Sequence, residues 1–164
     1  MIKSGEWVAE NVIADGVVSK QVQPAGVDLT LSELYDISEL STFELLGDDR
    51  VHRNRDEVSM VRHGDQTMYE VDEGWYLARY NEVVDIPDNV VGFVWPRSTL
   101  MRNGVMVTSA VWDPGYKGQG FGGLYTPGRT LLGNGERIAQ IVFMEVRNST
   151  GTYDGEYQGE GLDE

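Results

Sequence analysis

Four short segments carry residue types whose spacing could do chemistry. In Pro96-Arg97-Ser98-Thr99-Leu100-Met101-Arg102 an apolar strand ends at a proline and a helix begins. A helix start presents unpaired backbone N–H groups, the Ser98 hydroxyl adds a donor, and Arg97 and Arg102 supply charge, which together suit a phosphate. The same residues would also serve as a plain helix cap with two surface arginines. In Val111-Trp112-Asp113-Pro114-Gly115-Tyr116 an aspartate closes an apolar run and a Pro-Gly turn fixes it, with tyrosine three residues later. Such a carboxylate can orient a water while the ring supports a sugar; a type II turn opening on aspartate is the alternative. In Arg137-Ile138-Ala139-Gln140-Ile141-Val142-Phe143 strict alternation puts Gln140 on one face with Ile138 and Val142. A glutamine there needs partners if buried, whether from a ligand or from the core. Finally, Gly26-Val27-Asp28-Leu29 places a carboxylate inside an apolar run. Burial would be costly without a paired cation, and Arg97 is the candidate.

The elements that must position these groups read as strands. Twenty glycines, eight tyrosines and short valine-rich runs favour an all-β domain. Strands are predicted over 27–31, 68–71, 75–79, 90–95, 105–108 and 138–146, punctuated by turn signals at Gly74, Pro87-Asp88-Asn89, Asp113-Pro114-Gly115 and Gly133-Asn134-Gly135. Many short strands with glycine-rich turns suggest a barrel-like or double-sheet fold. One short helix is predicted after Pro96, capped by Ser98, running to Asn103 and stopping at Gly104. Residues 48–65 carry Arg50, His52, Arg53, Arg55, Arg62 and His63 without periodicity and read as an exposed loop. Its cations could reach a phosphate, although a solvated loop needs no such role. Residues 1–147 make one domain, and 148–164 form an acidic, glycine-rich tail expected to order on ligand binding.

Charge narrows the ligand. A formal net charge of −14 argues against non-specific binding to nucleic acid or to an anionic membrane. A phosphate-bearing ligand must then be small and held by local cations. The chain has no cysteine, so disulfides and thiolate metal sites are excluded, and it carries neither a signal-peptide pattern nor a spanning apolar run. A cytoplasmic location is the default expectation.

Taken in order, the four segments resemble the dUTPase and dCTP deaminase superfamily, in particular its archaeal deaminase-like dUTPases. Ala25-Gly26-Val27-Asp28-Leu29 is similar to the first signature, with Gln23-Pro24 closer to the deaminase version, and Pro96-Arg97-Ser98 is similar to the second. Asp113 and Tyr116 match the third, and residues 135–140 match the fourth. The tail Tyr153-Asp154-Gly155-Glu156-Tyr157-Gln158-Gly159 resembles the Lys-Tyr-Gln-Gly ending of deaminases, with Glu156 in place of the lysine. The resemblance implies a distorted, jelly-roll-like β-barrel that hydrolyses dUTP to dUMP and pyrophosphate. It implies Asp113 as the group that activates water, and Tyr116 against the deoxyribose. Arg97, Ser98, Arg102 and Gln140 would bind the phosphates, with Tyr153, Tyr157 and Gln158 as tail contacts and Asp28 behind Arg97. Uracil would be read by backbone groups of a hairpin over 105–112. No dedicated metal cluster is visible, and Mg²⁺ would ride on the triphosphate and waters. A homotrimer is implied, with Arg97 and Ser98 facing the Asp113 of another subunit. Two alternatives stay open, dCTP deamination and a non-catalytic nucleotide-binding relative. Against deamination, the glutamate that deaminases carry ten residues after the shared aspartate falls here on Gly123, inside Gly120-Phe121-Gly122-Gly123.

Overall fold

The central strand alternates Val27, Leu29 and Leu31 with Asp28 and Thr30, and both sets are buried, the three aliphatic side chains fully, so this is an interior strand covered on both faces. The computed structural model describes residues 1–37 and 41–162; Asp163 and Glu164 of the tail lie outside the described residues. In chain order the elements are α1 (Gly5–Asn11), a 3-10 turn (Ser19–Gln21), β1 (Val22–Gln23), β2 (Gly26–Asp36), β3 (Glu44–Leu46), β4 (Asp49–Val51), β5 (Asp56–Glu57), β6 (Val61–His63) and β7 (Gln66–Val71). There follow β8 (Gly74–Tyr80), β9 (Val84–Asp85), β10 (Val90–Pro96), α2 (Ser98–Arg102), β11 (Met106–Thr108), β12 (Lys117–Gly118), β13 (Phe121–Thr126), β14 (Thr130–Gly133) and β15 (Arg137–Glu145).

The main sheet runs β10-β15-β2-β8-β13-β11, antiparallel at every step. Its two ends meet. Just beyond β11, Trp112 exchanges both backbone hydrogen bonds with Gly92 of β10, at 2.8 and 3.0 Å, so the sheet nearly closes on itself as a barrel. Gly92 permits the approach, because a Cβ there would stand 2.7 Å from the Phe143 ring. The interior is aliphatic and aromatic, with Leu34, Tyr80, Leu124, Ile141 and Phe143 fully buried. The all-β, barrel-like architecture is as the sequence reading has it, and all six predicted strands are present, with β7 starting two residues earlier than read and β2 running on to Asp36, five residues past the predicted end.

Several details differ. A second helix, α1, precedes the barrel; its N-cap Ser4 hydroxyl accepts from the Trp7 N–H at 3.3 Å. Only Gly5 and Val8 of α1 are buried, so no apolar stripe at helical spacing announces it. In α2 the cap is Arg97, without a side-chain bond, and Ser98 is the first helical residue rather than the cap; Gly104, at φ 77°, stops the helix as expected. Residues 48–65 are exposed, as read, apart from Val58, which packs half-buried against the core, but they are not one loop. They contain β4, β5 and β6, with β3 and β4 paired in a projecting hairpin whose residues are all exposed. A ribbon wet on both faces leaves no alternation to detect. Residues 105–112 are not a self-paired hairpin either: β11 pairs with β13, Met106 opposite Tyr125 and Thr108 opposite Gly123.

Candidate active site

Asp113 opens a turn that is held from both sides. Trp112 before it is tied to Gly92, Gly115 takes the φ of 81° that a type II turn needs, and the Tyr116 N–H donates to the Asp113 carbonyl at 3.2 Å. Ile86 clamps the turn from the other side, accepting from the Gly115 N–H and donating to the Tyr116 carbonyl, both at 2.9 Å. The Asp113 side chain itself is exposed on this rigid mount.

It borders a cavity of about 640 Å³, a size that suits a nucleotide. One wall is apolar, built by Ile37, Phe43, Leu77, Val111 and Phe121. Trp112 and Tyr116 supply aromatic surface, Arg53 and Arg55 supply positive charge, His52 adds an imidazole, and Tyr153 and Tyr157 close it from the tail. Tyr116 stands edge-on to Trp112, with ring centroids 5.5 Å apart, and to Tyr153, at 5.6 Å. Burial, then the nearby Glu160 and Tyr153, pushes the Tyr116 phenol well above its ordinary value. It therefore stays neutral and protonated at working pH.

The glycine-rich run is shaped by these rings, a role that sequence reasoning missed. A Cβ on Gly118 would lie 2.6 Å from the Tyr116 hydroxyl oxygen, one on Gly120 would lie 2.7 Å from the Trp112 ring, and one on Gly122 would overlap the Tyr80 hydroxyl oxygen. Alternate positions from the end of β12 into β13 thus face three aromatic side chains, and only hydrogen fits. Tyr80 is fully buried, and its hydroxyl has no hydrogen-bond partner among the described residues. Gly123, on the opposite face, lies across from Leu77 and Thr108 and is not part of the cavity lining.

The tail lies along the Asp113 turn. The Tyr153 N–H donates to the Pro114 carbonyl at 2.7 Å, and the Gln158 side chain accepts from the Lys117 N–H at 3.1 Å while donating to the Gly115 carbonyl at 3.0 Å. Gly159 and Glu160 continue the pairing with Lys117 and Gln119. Between these anchors, Glu156 reaches across to the projecting hairpin, with Arg50 Nη1 at 2.6 Å and His52 Nε2 at 3.0 Å. Those two partners, Arg50 foremost, hold its carboxyl below the ordinary glutamate value.

The remaining candidates form a second group away from this cavity. Pro96 pairs with Ala139, Trp95 with Gln140, and the Arg97 N–H donates to the Ile138 carbonyl at 3.1 Å, so β10, β15 and the start of α2 bring Arg97, Ser98, Arg102 and Gln140 onto one edge. Ser98 and Arg102 are exposed, and Gln140 is half-buried. Arg97 does pair with Asp28, Nε to Oδ2 at 3.1 Å. A second partner was not foreseen: Arg137 Nη1 stands 3.0 Å from the same oxygen, carried there where the register of β15 on β2 shifts. Burial pushes the Asp28 carboxyl up, against the pull of Arg97 and then Arg137. Arg97→Ala is expected to cost about 1–3 kcal/mol in urea unfolding, less than a buried carboxylate losing its only partner, because Arg137 remains. An unchanged midpoint would show that Asp28 does not depend on Arg97.

Comparison with known proteins agrees with this architecture. A family model described as dCTP deaminase-like matches residues 2–146. A probable deoxyuridine 5′-triphosphate nucleotidohydrolase of Halobacterium salinarum is 38% identical over 165 residues, covering 99% of this chain and 97% of that protein. The protein of the same name from Aeropyrum pernix is 39% identical, covering 99% of this chain and 100% of its own length. Among solved structures, the 2′-deoxycytidine 5′-triphosphate deaminase of Agrobacterium tumefaciens superposes with a TM-score of 0.64 at 17% identity. That likeness is one of fold; it covers 89% of this chain and 48% of the deaminase, so the chain spans about half its length. The ordered signatures and the match over nearly the whole domain make this chain a member of the dCTP deaminase-like family, within the superfamily that also holds the dUTPases.

Proposed function

We propose that this chain hydrolyses dUTP to dUMP and pyrophosphate, and the observation that carries the reading is Asp113, held on a clamped turn at a nucleotide-sized cavity beside Tyr116. The names of the archaeal relatives support the substrate. In this reading Asp113 accepts a proton from water as the water oxygen attacks the α-phosphorus, and the bond to the bridging oxygen breaks to release pyrophosphate. Tyr116, neutral and buried, packs against the deoxyribose and leaves no room for a 2′-hydroxyl. Uracil lies toward Ala110, Val111 and Trp112, the part of 105–112 that borders the cavity.

Arg97, Ser98, Arg102 and Gln140 bind phosphate in this proposal. They lie on a different edge from Asp113, so they would serve the cavity of a neighbouring subunit, and a homotrimer with interfacial sites follows. Tyr153 and Tyr157 border the cavity, whereas Gln158 acts by anchoring the tail to the turn. No group of three or more His, Asp or Glu side chains among the described residues is placed to hold a metal ion. Mg²⁺ is therefore proposed to be held by the triphosphate, where it would neutralise charge on the departing pyrophosphate. No helix is long and apolar enough to cross a membrane among the described residues, and action in the cytoplasm is part of the proposal.

The runner-up is dCTP deamination, favoured by the description of the matching family. It would need another proton shuttle, since position 123 carries none and, among the described residues, the carboxylates bordering the cavity are Asp113, Glu156 and Glu160. A panel of dUTP, dCTP, UTP and dTTP, assayed for pyrophosphate and for ammonia, tests both. Pyrophosphate from dUTP alone is expected. Ammonia from dCTP would overturn the proposal in favour of deamination, and tight binding of dUTP without turnover would point to a regulatory relative.

A further inference from the structure

Arg50 of the projecting hairpin and His52 just after it have no part in the reaction just described. Of the basic residues bordering the cavity, Arg53 donates to the Ser41 carbonyl at 2.7 Å, and Arg55 lies over the rings of Tyr35 and Phe121, 5.3 Å from each centroid. Arg50 and His52 instead grip one carboxylate at two points, Arg50 on one oxygen of Glu156 and His52 on the other. Glu156 and His52 both border the same cavity as Asp113.

We propose that Arg50 and His52 form an anion subsite for the terminal phosphate of a bound nucleotide, and that Glu156 fills it as an internal stand-in until a triphosphate displaces it. The inference rests on the reading of the cavity as a nucleoside triphosphate site. A polyanion entering a protein of net charge −14, past the carboxylates of Asp113, Glu156 and Glu160, requires cations and requires at least one carboxylate to withdraw. Glu156 is the one placed to do so. Its ion pairs are exposed, with side chains 40–52% accessible, and exposed pairs break easily. A terminal phosphate offers more charge and three acceptor oxygens to the same guanidinium and imidazole. The tail need not leave when Glu156 swings out, because the Tyr153 and Gln158 bonds hold it on either side.

The test is calorimetric titration of the full chain with inorganic tripolyphosphate and with dUMP, for the parent, Glu156→Gln, and Arg50→Gln with His52→Gln. Glu156→Gln is expected to bind tripolyphosphate severalfold more tightly and the double variant severalfold more weakly, with dUMP affinity unchanged in both. Weaker tripolyphosphate binding by Glu156→Gln would overturn the proposal, since Glu156 would then be a clasp that the ligand needs. Equal affinities in the parent and Glu156→Gln would overturn it as well. Glu156→Gln is nearly isosteric and exposed, so it decides the matter even if the double variant does not fold. Tripolyphosphate has no base and no sugar, so its binding is read independently of dUTP turnover. Failure of the hydrolase reading in the substrate panel and failure of this subsite are therefore separate results.

Discussion

Replacing Asp113 with asparagine is expected to lower kcat for dUTP by roughly 10²–10⁴-fold while leaving its dissociation constant nearly unchanged. The backbone that carries Asp113 is fixed by contacts that ignore its side chain: the Gly92 bridge to Trp112, the Ile86 clamp and the positive φ of Gly115. Asparagine keeps the shape and one acceptor oxygen, so a sugar hydroxyl can still bond to it. What it loses is the capacity to take a proton from water. Pyrophosphate release and equilibrium dUTP binding, measured on the same preparations, separate the two effects. Retained turnover would remove Asp113 from the role of base, and equal losses in kcat and binding would reassign it to holding substrate.

Gly26→Ala is expected to be the most damaging small change in the barrel. A Cβ at position 26 would overlap the backbone carbonyl oxygen of Ile141 on β15, and it would also lie 3.0 Å from a methyl of Val142. Two paired strands cannot part locally without breaking the ladder that also carries Asp28 opposite Gln140. Overpacking of this kind costs about 3 kcal/mol, and a loss of that size lowers Tm by about 6–12 °C in a domain of this length. Gly128→Ala is the control, since a Cβ there meets nothing within 4 Å. Thermal unfolding of the two variants should differ sharply; matching Tm values would mean that β2 and β15 can separate to make room.

That glycine also shows what sequence reveals and what it hides. The Ala-Gly-Val-Asp order identified the segment by resemblance, but the reason for glycine is a strand more than a hundred positions away in the chain, which no local pattern displays. Strands such as β10 were legible because a short valine-rich run, Val90 to Trp95, follows the turn residues Pro87-Asp88-Asn89. The pairing of Asp28 with Arg97 could be reasoned from the cost of burying a carboxylate, whereas Arg137 depends on a register shift that appears only once β15 lies against β2. The grip of Arg50 and His52 on Glu156 joins residues more than a hundred positions apart through exposed side chains. Exposed charges are compatible with any neighbour, so composition gives no sign of which one they meet.

The run from Gly118 to Gly123 looks, as a string of letters, like a stretch free to vary. Its inward glycines are instead the cast of three rings, and they share an inheritance with those rings. A methyl group at position 122 has no room while Tyr80 keeps its hydroxyl, yet that hydroxyl has no bond to lose among the described residues. The two positions are therefore expected to change together across a lineage, with Tyr80 giving up its oxygen before Gly122 can accept a carbon.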